Sequence, residues 1–314
     1  MFLFFIPQPK FLMTILLRII LASWLFILSS FCFAEPSLAI SSPDMGKIIF
    51  DRGVNNLHQQ NYQNALVDFT QVITAKNNLT GAAYSNRCLA ELQLQQNIAA
   101  EADCKQAIKN NVDNLEAHLN LGLAYYHQQQ YVQAIAEYQE VIKRDNQDYR
   151  AYYNRGLAYI AANNHRQAIG DYQKALNLAK DSTTESKSTI YNDLALAQII
   201  IAQETTAILN LNRAIALNKN NYQAYYNRGC AYHRQGNNHA AIQDFSAAIQ
   251  LQPSFTQAYV HRGIVHHHLG ANHPAVEDFN LALGQYRDQN DQQQYDLVLK
   301  LKHQLFYAQP HQIV

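Results

Sequence analysis

Seven side chains recur at one phase of this chain: Asp51, Asn86, Asn120, Asn154, Asp193, Asn227 and His261, each two residues before a Gly, Cys or Ala. Four of the seven are asparagine. A carboxamide carries two donors and an acceptor, so it can bond both polar groups of a peptide unit. The same amide can equally bond a neighbouring helix, and both readings stay open. Other reactive residues point away from catalysis. His261, His266, His267 and His268, with His233 one repeat earlier, look like ligands. However, His261 and His268 stand seven apart, two helical turns along the axis, which is too far for bonds of about 2 Å to a single ion. Asp171, Asp244 and Asp278 recur just before an aromatic residue, which marks a structural position. The sequence has no Gly-rich phosphate loop, no Gly-x-Ser-x-Gly elbow and no His-Glu-x2-His pair. These absences argue for a non-enzymatic chain that needs no cofactor and no metal.

The elements that must position these side chains are set by a repeat. Ala151-Tyr152-Tyr153-Asn154-Arg155-Gly156-Leu157-Ala158-Tyr159 returns as Ala224-Tyr225-Tyr226-Asn227-Arg228-Gly229-Cys230-Ala231-Tyr232, and more loosely elsewhere. Its small positions, Gly53, Cys88, Gly122, Gly156, Ala195, Gly229 and Gly263, are separated by 35, 34, 34, 39, 34 and 34 residues. So regular a period means stacked units rather than one globular core. In each unit an alanine follows about twelve residues later, then an aromatic, Leu or Cys, then a small or branched residue, as in Ala168, Tyr172 and Ala175. Spacings of four and three place these on one helix face. Tyr152, Gly156 and Tyr159 do the same on the preceding helix. The unit is a helical hairpin whose apolar face is covered only by its neighbours.

Aromatic–x2–Leu/Arg–Gly–x2–Tyr, then Ala, then an aromatic, then Ala, with Pro253 closing one unit, resembles the tetratricopeptide repeat family. Departures are local: Cys88 and Ala195 stand for glycine, Arg replaces Leu in several units, and only Pro253 remains of the closing prolines. The resemblance implies an all-α, right-handed α-solenoid of seven hairpins over residues 46–290, ended by a capping helix in 291–314. It also implies a concave groove on the first helices that holds a protein or peptide. Asn86, Asn120, Asn154 and Asn227 would then form the kind of amide ladder by which some members grip an extended chain. Tyr126, Tyr153, Tyr226, His233 and Arg234 are expected to line the same groove, together with Leu89, Leu123, Leu157, Leu196 and Ile160. Some of these apolar residues are expected to pack between hairpins instead. The family's carboxylate clamp is absent, because Phe50, Val54, Glu116 and Asn120 occupy the flanking positions. A self-associating structural subunit is the alternative role.

Lys+Arg and Asp+Glu both number 24, so the chain has no net charge and lacks the basic excess of a nucleic-acid binder. Residues 1–34 read as a signal peptide or signal anchor: Lys10 and Arg18 precede the apolar run 19–33, and Cys32-Phe33-Ala34 fits a cleavage site. Uncleaved, residues 15–34 would tether the chain to a membrane. Either reading places the repeats outside the cytoplasm, in a periplasm or equivalent lumen. A linker, 35–45, follows. Lys180–Ser186 contains the five-residue excess and reads as a longer loop. Cys88 and Cys104 lie on facing helices of one hairpin. In an oxidising compartment they can form a disulfide, and otherwise they serve as small apolar fillers.

Overall fold

The structure, a computed structural model, describes residues 43–307 apart from residue 181. Segment 1–34, most of the linker and the last residues of the tail lie outside the described residues. Fifteen helices follow in order: α1 Pro43–His58, α2 Tyr62–Thr74, α3 Thr80–Gln93, α4 Asn97–Asn110, α5 Leu115–His127, α6 Tyr131–Arg144, α7 Tyr149–Ala161, α8 His165–Leu178, α9 Thr184–Ile200, α10 Glu204–Leu217, α11 Tyr222–Arg234, α12 Asn238–Leu251, α13 Thr256–His268, α14 Asn272–Asp288 and α15 Gln292–Phe306. The first fourteen pair into seven hairpins, each packed on the next, an α-solenoid. Among the described residues there is no strand.

Every hairpin turns the same way. One residue takes positive φ (Gln60, Gln95, Gln129, Asn163, Ala202, Gly236 and Gly270). The next N–H reaches back five residues, as in Asn164 N–H to the Tyr159 carbonyl at 2.7 Å. This is a Schellman closure, which satisfies carbonyls that the ending helix leaves open. Glycine serves only the last two turns, so the first five hold a Gln, Asn or Ala in the left-handed region.

What draws the two helices of a hairpin together is a ring laid over a glycine. A Cβ added at Gly122 would stand 2.5 Å from Tyr138, and one at Gly156 would stand 2.6 Å from Tyr172. Gly53–Phe69, Gly229–Phe245 and Gly263–Phe279 repeat the contact. The rings are almost fully buried, Tyr138 and Tyr172 included. Where the glycine is missing, so is the ring: Ala195 faces Leu211, and Cys88 faces Cys104. The latter two are bonded as a disulfide, with Cα atoms 5.4 Å apart. The chain thus takes the cross-linked reading of this pair over the two-filler reading.

One residue before each of these positions, a second pair locks the hairpin. Arg52–Asp68, Arg87–Asp103, Arg155–Asp171, Arg228–Asp244 and Arg262–Asp278 are two-bond guanidinium–carboxylate pairs at 2.5 to 3.0 Å. In four of them the two bonds run in parallel to both carboxylate oxygens, which gives direction as well as energy, whereas Arg52 brings both of its N–H groups to Asp68 Oδ1. The Asp residues are buried, so loss of the Arg would leave a charge stranded. Where Arg is replaced by Leu121 or Leu194, the partner changes too. Glu137 is taken by His118 at 2.7 Å, and Asn210 bonds Gln198 at 2.9 Å. The Glu137 hydrogen bond raises the His118 imidazole above its ordinary value.

The five-residue excess does not form a long loop. α9 has 17 residues against 13 in α7, so most of the insertion lengthens the helix at its N-terminus. Thr183 caps that start, its hydroxyl accepting from Ser186 N–H at 3.1 Å. A good cap outweighs the weak propensity of the Ser/Thr run. α15 packs on α14 through Val298, Leu301 and Phe306, covering the Phe279–Leu283–Tyr286 face of the last hairpin.

Two outcomes follow from these contacts. Gly122→Ala should lower the unfolding free energy by about 1–2 kcal/mol, because overpacking outweighs the propensity that alanine adds. Combined with Tyr138→Leu, the loss should be smaller than the sum of the two single losses in urea titrations. Reducing the Cys88–Cys104 bond opens a closure spanning 16 residues. It should cost about 3 kcal/mol, read as a lower thermal midpoint in dithiothreitol. Cys88→Ala/Cys104→Ala should abolish that dependence on reductant.

Candidate functional site

Contacts between like helices of adjacent hairpins run through the first helices: α1–α3, α3–α5, α5–α7, α9–α11 and α11–α13. The first helices are therefore the closely spaced inner layer, and side chains between them line its face. The recurring amide position lies in that layer, and its occupants divide into two groups.

Asn86, Asn120 and Asn154, on α3, α5 and α7, are half-buried, and their side chains make no hydrogen bond among the described residues. A primary amide left with free donors and an acceptor in a recess is ready for a polar chain laid across it. Asn227 on α11 differs. It is 8 % exposed and donates to Asn192 Oδ1 on α9 at 2.9 Å, so its amide is committed to the contact between two hairpins.

Between these groups stands Asp193 on α9, at the same phase. Its carboxylate accepts Tyr153 O–H at 2.8 Å and the Asn192 amide at 3.2 Å. Burial pushes Asp193 up to about 6, while the two hydrogen bonds pull it back. Burial, and then the Asp193 charge, pushes the Tyr153 phenol well up. The Tyr126 phenol is raised by burial, Tyr131 and Asp193. Tyr126, Tyr153 and Asp193, from three successive first helices, thus share one electrostatic recess. Tyr126 packs 5.8 Å from Tyr131, and Tyr153 5.9 Å from Tyr172. Sequence reasoning placed Asp193 at the repeating phase without singling it out, and it missed Asn192. Leu121 and Leu194, where the Arg–Asp lock lapses, flag the helices on either side of this recess.

In the last two hairpins the inner face is filled by the chain's own rings. Tyr226 meets Phe255 at 4.9 Å and His261 at 5.4 Å, both edge-on. Burial, with His233 nearby, pushes His261 down to about 4, and burial pushes the Cys230 thiol up to about 12. His233 stacks on His268 at 5.1 Å and bonds Asn238 at 2.8 Å. Arg234 donates to the Ile199 carbonyl at 2.6 Å and to Glu204 at 3.3 Å, bridging back to α9 and α10. Among the described residues no three His, Cys, Asp or Glu side chains converge as metal ligands would.

A family profile described as "Tetratricopeptide repeat" matches residues 149–182 and 222–255, beginning at the first residues of α7 and α11. A second of the same description matches 87–149, and a "TPR repeat" profile matches 205–236. Over residues 87–182 and 205–255 the chain belongs to the tetratricopeptide repeat family. Solved structures with this fold include a tetratricopeptide repeat protein from Parabacteroides merdae, 18% identical, TM-score 0.63, covering 82% of this chain and 98% of that one. PilF of Pseudomonas aeruginosa is 16% identical, TM-score 0.59, covering 71% and 97%. YrrB, described as a TPR protein with an unusual peptide-binding site, is 21% identical, TM-score 0.50, covering 63% and 97%. No curated protein matches the chain. The tetratricopeptide repeat family is in general a non-catalytic scaffold whose members bind proteins or peptides.

The recess carries its own signature in pH. The folded Asp193 holds its proton more tightly than the unfolded chain does, at about 6 against roughly 3.9 for a free aspartate. Its stability contribution therefore falls as pH rises from about 4 to 6, then levels. Tyr153→Phe deletes a hydrogen bond that favours the carboxylate. The Asp193 midpoint, followed by carboxyl-carbon NMR, should move further up in that variant.

Proposed function

We propose that the inner face of hairpins two to four binds an extended segment of another protein, with Asn86, Asn120 and Asn154 each bonding a peptide unit. One observation carries the reading: these three amides occupy the repeating inner position, lie half-buried and make no hydrogen bond among the described residues, whereas Asn227 at the same phase is committed. Recognition through the backbone accepts varied side chains, which suits a scaffold that docks or assembles partners.

We place this scaffold outside the cytoplasm, tethered to a membrane if residues 15–34 remain, in the assembly of an envelope or membrane complex. Support comes from the charged-then-apolar run up to Ala34 and from a Cys88–Cys104 disulfide, which persists in oxidising compartments. Self-association is the second reading. Ile98 and Val132, 79% and 77% exposed, stand at equivalent places at the starts of α4 and α6. Sedimentation of dilute and concentrated protein separates the two, since only self-association raises the mass with concentration.

Asn120→Ala/Asn154→Ala should weaken capture of the partner at least tenfold, taking about 1 kcal/mol for each lost bond. The thermal midpoint should hardly change, because neither amide bonds the protein itself. Partners recovered from envelope extracts in equal amounts by wild type and variant would refute the ladder.

A further inference from the structure

Six carboxylates on the second helices, each one residue before the packed position, are matched with cations. Asp68, Asp103, Asp171, Asp244 and Asp278 each hold an arginine, and Glu137 holds His118. Asp193 is treated differently. Its partners are a phenol and an amide, both neutral, and among the described residues no Lys, Arg or His pairs with it. A carboxylate drawn out of water into a recess is poorly compensated by neutral donors and attracts a positive charge strongly there. Asp193, Tyr126 and Tyr153 nonetheless each keep part of their surface exposed. Two phenol rings stand beside it, and an electron-rich ring face adds to the attraction for a cation.

We propose that the Tyr126–Tyr153–Asp193 recess receives a lysine or arginine side chain from the extended segment lying on the inner face. The inference rests on the peptide-binding reading above and names the chemistry of that partner. The charge lacking around Asp193 is supplied by the ligand, its ammonium or guanidinium bonding the carboxylate oxygens beside the Tyr153 hydroxyl. Position fits as well. Asp193 is the next rung after Asn120 and Asn154, and the Tyr153 hydroxyl, one residue before Asn154, reaches it at 2.8 Å.

The test is affinity selection of a degenerate decapeptide mixture on immobilised full-length protein, with the retained pool sequenced. For wild type, lysine and arginine should be enriched severalfold at one position, and the enrichment should shrink in 1 M NaCl. Asp193→Asn keeps an acceptor for the Tyr153 hydroxyl; it should retain peptides but lose the basic preference. The salt series on wild type needs no variant and guards against one that fails to fold. Wild type that retains peptides with no basic preference, or a preference unchanged in Asp193→Asn, overturns this inference and leaves the amide ladder standing. Wild type that retains no peptide overturns the ladder and the inference together.

Discussion

An aromatic ring seated on the bare backbone of a facing helix sets the geometry of the whole array. The ring of Tyr138 or Tyr172 can lie that close only because Gly122 or Gly156 has no side chain. That approach brings the Arg155 guanidinium within two bonds of Asp171, one residue away on each helix. Residues at one phase of each first helix lie in one inner layer, where α1–α3, α3–α5, α5–α7, α9–α11 and α11–α13 are in contact. Asn227 and Asn192 meet in that layer, as do Tyr153 and Asp193, although 35 and 40 residues separate them along the chain.

The exceptions obey the same constraint. Ala195 with Leu211 and Cys88 with Cys104 show that the contact varies as a pair, the larger inner residue matched by a smaller opposing one. Leu121 and Leu194 show the same of the charged lock, since their former partners find His118 and Gln198. Lock and recess are linked at Leu194, which directly follows Asp193 on α9. There the first helix carries a carboxylate toward the inner face and no arginine toward its hairpin partner.

Much of this was legible in the residues. The period, the hairpin and the family follow from the spacing of Gly53 through Gly263, because steric complementarity leaves a mark in composition that hydrogen bonding does not. Asn86, Asn120 and Asn154 were readable as one phase, but nothing local distinguishes them from Asn227. The difference lies in Asn192, which is on another hairpin and outside the repeat phase. Tyr226 and His233 were expected to line the groove, and they lie against Phe255, His261 and His268, contacts fixed only by the third dimension. The insertion before α9 was misread because the capping bond from Ser186 to Thr183 is worth more than the propensities of the residues around it.

A solenoid with only neighbour contacts melts from its ends, each unit free to peel once its outer neighbour has gone. The Cys88–Cys104 bond changes that near one end. α3 and α4 cannot splay apart while it holds, so unzipping that begins at α1 and α2 meets a covalent knot before it reaches Asn120 and Asn154. The opposite end has α15 as its stopper. Asn120 and Asn154 therefore lie in the stretch sheltered from both directions of fraying.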